Sequence, residues 1–282
     1  MQPKIYLVSH NDAYKAFEDY CQGLLLTLPN VSIIVFCDES EIPVTDDRYF
    51  FLSYIPPKFY KRYLSGKHSQ LHLINTEQST RPVWTLMLQH YSNHKIKIYD
   101  YDFYQAKTRA EQTKEQICYL PYQISDKEDH YLTNLVKESP KYYNVAICSV
   151  NASKRRANIF RLLQQQGIKV IDVSGWKESR DLLIAQSQIL LNIHYDNDYQ
   201  IFEHFRCDRW ILTGMLTVSE KSLSDDLLDF KDLLIIENYD RLIEKIIEIV
   251  ANYKHYQELY LKKLFSVKNQ IICDRKKLVM KT

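Results

Sequence analysis

The chain has 282 residues, enough for one large domain or for two of roughly 130 to 150 residues, each with its own core. Hydrophobic residues make up 45% and charged residues 26%, an ordinary globular composition, and a net charge of +2 excludes the concentrated basic excess of a dedicated nucleic-acid binder. With five glycines and no GxGxxG or Walker-type loop, the common Gly-rich phosphate cradles are excluded too.

KIYLV (4–8) reads as a strand, SHND as a helix cap, and DAYKAFEDYCQGLLLTL as a helix by its apolar spacing. VSIIVFC (31–37), YFFLSY and LHLIN (71–75) read as further strands. A helix runs from Pro82 to about residue 94, and KIKIY (95–99) and ICYL (117–120) add short strands. YLPYQISDKEDH (119–130) reads as a linker around Pro121. The alternation then restarts with NVAIC (144–148), a helix through SVNASKRRANIFRLLQQQ, and GIKVIDV (167–173) after a Gly167 C-cap. KESRDLLIAQ is a helix, SQILLNIH a strand, QIFEHFRCDRWIL a helix, and MLTVSE (215–220) and LLIIE (233–237) are strands. Two helices close the chain through RLIEKIIEIVANYKHYQELYLKKLF, and a Lys-rich tail follows that is expected to fray.

Alternation of strand and helix predicts parallel sheets with helical crossovers. The expected fold class is therefore α/β, with two Rossmann-like β/α/β domains facing a cleft. The expected bounds are 1–122, 123–267 and a tail of 268–282. The six cysteines lack a CxxC pairing and several lie in apolar runs, which predicts reduced, buried thiols and no zinc site. The N-terminus lacks a signal-peptide apolar region, and no window approaches 18 apolar residues, so neither a leader nor a transmembrane helix is expected and the location is read as cytoplasmic.

In open α/β sheets ligands bind beyond the carboxyl ends of the strands, so the residues just after each strand are the ones to inspect. Ser149 and Asn151 open a helix whose free N–H groups attract anions, and Lys154, Arg155 and Arg156 follow in its first turn. These cations are either an anion site or a solvated surface cluster. Ser174-Gly175-Trp176 forms the next strand-end turn, with Trp176 read as a packing residue. In LNIHYDNDYQIFEHFR (191–206), alternation puts Asn192 and His194 on one side of a strand, and Glu203 and Arg206 lie three apart on the following helix. A carboxylate near a helix start accepts two ribose hydroxyls, and an arginine one turn away binds phosphate bidentately. The alternative is a weak surface ion pair. Ser219 either caps the next turn or, with Glu220, forms a polar wall opposite Glu203.

The order SxxxRR, GIKVIDVSGW, RD, LLNIHY, IFExxR and VSE resembles the C-terminal half of GT-B-type glycosyltransferases found in bacteria and large DNA viruses. INTEQ (74–78), IYDYD and YLPY resemble their N-terminal half, so the likeness covers most of residues 70 to 240. It implies a nucleotide-sugar donor held by the second domain and a glycan or glycosylated acceptor held by the first. It also implies that Glu203 holds the ribose, that Arg206 approaches the diphosphate, and that Asn192 and His194 line the donor pocket. The sequence departs from the pattern in one respect. Many retaining members carry two glutamates separated by seven residues, and the position eight before Glu203 is Tyr195.

Transfer also needs a base for the acceptor hydroxyl. The candidates are Glu77, which the resemblance supports, and His10, since imidazole titrates near neutral pH; Asp38 is a third strand-end group, and each of the three is also a potential helix cap. Two DxD patterns, Asp100-Tyr101-Asp102 and Asp196-Asn197-Asp198, are short and common, and neither a divalent metal nor another cofactor is expected. Two rival readings remain: a catalytically inactive GT-B-like module that binds a nucleotide or glycan, and a different two-domain α/β enzyme such as a sugar-nucleotide epimerase or nucleotide-dependent ligase.

Overall fold

The computed structural model describes residues 4–28, 30–67, 70–114, 116–175 and 177–280; Trp176 lies outside them. Within these residues the chain is α/β, with two five-stranded parallel sheets flanked by helices. Chain contacts separate two units, one running to Gln123 and including the residues from Asp274 onward, the other running from Ile124 to Cys273. The boundary falls beside the expected one. The expected fraying tail instead continues a helix to Val279, because Arg275 and Val279 are buried there and Arg275 donates to the Tyr122 carbonyl at 3.1 Å.

The first unit holds β1 (Ile5–His10), β2 (Val31–Phe36), β3 (Arg48–Leu52), β4 (Leu71–Asn75) and β5 (Lys97–Asp100), in the spatial order β2-β1-β3-β4-β5. Its helices are α1 (Asn11–Thr27), α2 (Pro57–Leu64), α3 (Pro82–Asn93) and α4 (Phe103–Thr113). Strands buried on both faces read as apolar runs, and here Val8, Phe51, Leu73 and Ile98 pack with Phe59 of α2 and Leu88 of α3. ICYL forms only a bridge of Tyr119 to Asp100, because two backbone hydrogen bonds at Asp100 are all it shares with β5. Gly23 explains how the chain passes α1 on its way out of this unit. A Cβ there would sit 2.0 Å from the Gln123 carbonyl oxygen, so only glycine admits the approach.

The second unit starts sooner than the expected linker allows. Ser125 caps α5 (Asp126–Glu138), with its hydroxyl accepting from Glu128 N. There follow β6 (Tyr143–Cys148), α6 (Lys154–Gln165), β7 (Val170–Val173), α7 (Lys177–Ala185) and β8 (Ser187–Asn192). The unit closes with α8 (His204–Ile211), β9 (Thr217–Glu220), β10 (Leu234–Glu237), α9 (Leu242–Ala251) and α10 (Tyr253–Val279). The sheet order is β10-β9-β8-β6-β7. Numbered within each unit, both sheets run 2-1-3-4-5, a doubly wound order whose ligand crevice lies between the carboxyl ends of strands 1 and 3, where the chain turns from one side to the other. In the second unit those strands are β6 and β8.

Candidate functional site at the end of the second sheet

The chain leaves β6 through Ser149, whose φ of 56° is left-handed, and a short 3-10 turn at Val150–Ala152. The expected backbone anion nest is largely consumed there. Asp172 accepts from Val150 N at 2.9 Å and from Asn151 Nδ2 at 3.2 Å, and the Ser153 hydroxyl accepts from Arg156 N at 3.3 Å. Ser149, Asn151 and, beyond β7, Ser174 are exposed, and none of them joins the cluster described next.

The three basic residues of α6 part company. Lys154 is exposed. Arg155 turns toward the segment after β8, where Asn197 accepts from it at 2.8 Å, and toward β9, where Glu220 pairs with it, while its guanidinium lies 4.0 Å from the centre of the Tyr239 ring. Arg156 turns inward and is buried, donating through Nε to the Ile193 carbonyl at 3.0 Å, which ties the segment after β6 to the segment after β8.

Beside it stands Arg206. Its guanidinium reaches Asn192 Oδ1 at 3.5 Å and Glu203 at 3.8 Å. Glu203 is not on the helix as expected but at its N-cap position, with a non-helical backbone, so Arg206 sits in the first turn of α8. β8 ends at Asn192, which places His194 past the strand. Both are nevertheless turned to β9: Asn192 donates to the Ser219 hydroxyl at 3.1 Å, and Glu220 accepts from His194 N at 3.0 Å.

The electrostatics focus on the buried Cys148 at the end of β6. Burial raises its thiol pKa, and the guanidinium groups of Arg206, Arg180 and Arg156 act against that rise. Burial, and then the neighbouring charge of Arg206, lowers the pKa of Arg156 to about 10, which leaves it charged at neutral pH. Two cations thus lie close together with one partly exposed carboxylate, Glu203, beside them. Burial works against the charge of Arg206, but Glu203 raises its pKa above the ordinary value, so that carboxylate offsets one of the two charges and a bound anion would offset the other.

The remaining expected residues form a second group. Arg155, His194 and Glu220 line a cavity of about 440 Å³ together with Tyr199, Asn238 and Tyr239. His194 Nε2 donates to the Lys221 carbonyl at 3.1 Å, which leaves Nδ1 as a buried acceptor without a partner. Ser219 joins the two groups through Asn192.

Arg180 is a candidate that the site reading from sequence leaves out, and Arg156 enters it only as one of three cations, with Arg155 preferred. The signal for Arg156 was present, since Arg156, Ile159 and Leu163 follow the i, i+3, i+7 spacing of the buried face of α6. His204, by contrast, belongs to the core, with its ring bonded to Asp208 at 3.0 Å and edge-on to Phe202 and Phe230.

In the first unit the candidate bases are engaged. His10 Nδ1 accepts from Asp12 N at 3.3 Å and so caps α1, and Asp38 caps the turn after β2 through Ser40 N. Glu77 accepts from Arg81 at 2.7 Å. His10 ends β1 and Glu77 follows β4, with β3 between them, so the sheet does not bring the two together. Only His10 lies at the 1–3 crevice of this sheet. Asp100 is buried, paired with Arg109 and bonded to Asn75 at 2.6 Å, and Asp102 caps α4 through Gln105 N, so both carboxylates of that DxD have structural roles. Among the described residues no group of three or more His, Cys, Asp or Glu is placed to hold a metal, and no helix is long and apolar enough to cross a membrane.

No protein-family profile matches the chain. It is 30% identical over 277 residues to "Uncharacterized protein L140" of Acanthamoeba polyphaga mimivirus, covering 96% of this chain and 88% of that protein. "Uncharacterized protein L137" of the same virus is 38% identical over 199 residues, covering 69% of this chain and 27% of the relative. "Uncharacterized protein L138" is 33% identical over 265 residues, covering 87% and 29%. The chain therefore spans most of the first relative and under a third of the other two.

Proposed function

This chain belongs to the protein family of mimivirus protein L140, and we propose that it is a GT-B-like glycosyltransferase whose second unit binds a nucleotide-sugar donor and which transfers the sugar to a glycan or glycosylated acceptor. The observation that carries this reading is the pair of adjacent guanidinium groups, Arg156 and Arg206, at the β6/β8 crevice with Glu203 beside them. A leaving nucleoside diphosphate gains negative charge as the glycosidic bond breaks, and prearranged guanidinium donors stabilise that charge. Glu203 then accepts from the ribose hydroxyls. The cavity around His194 offers a buried acceptor for an N–H of the donor. The acceptor hydroxyl needs a base, and His10 and Glu77 are the candidates for that role.

A second reading is favoured by one observation. His10 is committed to a helix cap and Glu77 to an ion pair, as expected of a nucleotide- or glycan-binding module without a working base.

Thermal-shift titration with UDP, GDP, CDP and their common sugars, with and without Mg²⁺, tests the donor site. A ligand at 100 times its Kd adds about 2.7 kcal/mol of stability. The expected result is a shift with one nucleotide that is lost in Arg206→Ala and Glu203→Ala. No shift with any nucleotide on folded protein overturns the donor site. Binding without turnover of the sugar nucleotide over a panel of acceptors selects the binding module.

A further inference from the structure

Two neighbouring helices in a crossover usually press apolar faces together. α3 and α4 of the first unit do not. Between them lies a groove of about 470 Å³, and ten of the thirteen residues that line it are Ser, Thr, Asn or Gln. The polar positions recur at helical spacing, with Gln89 and Ser92 on α3 and Gln105, Thr108 and Gln112 on α4. The groove begins at Ser79, near the carboxyl ends of the strands, and reaches Asn93 and Thr113 at the far ends of the helices. α3 has 12 residues, so the groove follows roughly 18 Å of helix.

The lining decides the class of ligand. A phosphate or nucleotide needs cations, and the single cation present, Arg109, is paired with the buried Asp100. A metal needs carboxylates, and the lining has none. An apolar ligand needs aliphatic walls, and Leu88 is the one aliphatic side chain. What remains is a neutral molecule that both donates and accepts along its length, with one aromatic ring, Tyr104, for an apolar face to rest on. Gln105 is an independent sign of a built site. Its side chain is 2% exposed, its oxygen accepts from Ser79 N, and its buried Nε2 donor has no partner. A native fold rarely leaves such a group unsatisfied without a reason.

We propose that the groove between α3 and α4 binds a neutral oligosaccharide. The site is built from first-unit residues alone and extends along α3 and α4 away from the strand ends. It holds an already assembled glycan, and it stands whether or not the second unit takes a nucleotide.

Saturation-transfer NMR on the full chain tests it, with maltotriose, cellotriose, chitotriose and mannotriose as probes. Wild type is expected to transfer saturation to at least one trisaccharide. Gln89→Ala with Gln112→Ala removes two exposed amides without touching the core and is expected to weaken binding at least fivefold. Thr108→Trp, which fills the groove, is expected to abolish it. The nucleotide thermal shift is expected to be the same in all three proteins, so loss of the donor site and loss of this site are read separately. No transfer to any trisaccharide by wild type with a native circular dichroism spectrum overturns the proposal. Transfer that persists unchanged in both variants also overturns it, because the sugar then binds elsewhere.

Discussion

The two units share a strand order and differ in how they use the residues that follow their strands. In the first, strand-end polar groups are absorbed by the fold: Asp100 holds Arg109 and Asn75, Asp102 and His10 cap helices, and Glu77 pairs with Arg81. In the second, Arg156 and Arg206 stand together at the equivalent crevice with positive charge in excess. Since topology is shared, it cannot be what distinguishes them. A doubly wound sheet supplies the crevice, and the side chains placed there decide whether it stabilises the fold or takes a ligand.

The largest expected effect comes from breaking the first unit's arrangement. Asp100→Ala leaves Arg109 as an uncompensated, largely buried cation, and a loss of about 3 to 5 kcal/mol is expected in the urea unfolding of this unit. The second unit's nucleotide affinity should not move. If stability is unchanged, the strand ends of the first unit are not structural.

Acid should also act on the first unit. His72 of β4 stacks on Phe50 at 4.6 Å, and burial lowers its pKa to about 4. Between pH 6.5 and 4 the unfolded chain therefore binds more protons at this residue than the folded one. Stability is full above pH 6.5 and is lost as pH falls toward 4, by about 3 kcal/mol for this residue. His72→Phe should flatten the pH dependence of Tm in that window; an unchanged slope would mean that the ring is charged in the native state.

Arg206→Ala sharpens the other side of the contrast. A hydrogen bond to a charged group contributes about 1.5 to 3 kcal/mol, so diphosphate affinity is expected to drop by about 10- to 100-fold in calorimetric titration. Unfolding should change little, because the contacts of Arg206 with Asn192 and Glu203 are long, at 3.5 and 3.8 Å. A large loss of stability with unchanged affinity would make this crevice structural as well.

His10→Ala is expected to cost only about 1 kcal/mol of stability, for a lost helix cap. Its effect on turnover separates the two functional readings. A base at His10 requires transfer to collapse while nucleotide affinity stays, and unchanged transfer assigns the role elsewhere, with Glu77→Gln as the next variant to assay.

Much of this was legible in the sequence, for identifiable reasons. Runs such as NVAIC and LHLIN are dominated by apolar residues on both faces because their strands are buried on both sides, and that pattern announces parallel sheets. Asn192, His194, Glu203 and Arg206 stood out because strand ends rarely gather so many polar groups. The helical continuation to Val279 was missed because its periodicity is weak and its Lys-rich composition resembles a frayed end, whereas burial of Arg275 and Val279 holds it. Helix α8 was extended too far toward its N-terminus, since apolar spacing in QIF continues past the point where the backbone leaves the helix at Glu203.

The sequence by itself determined the β/α alternation, the positions of the strand ends and the chemistry available at each, because these follow from local periodicity and residue type. Only the tertiary structure decided which of two adjacent arginines faces the crevice. Arg155 and Arg156 are equivalent as letters, but successive helix residues point about 100° apart, and the packing of α6 on its sheet turns one outward to Glu220 and the other inward to Arg206.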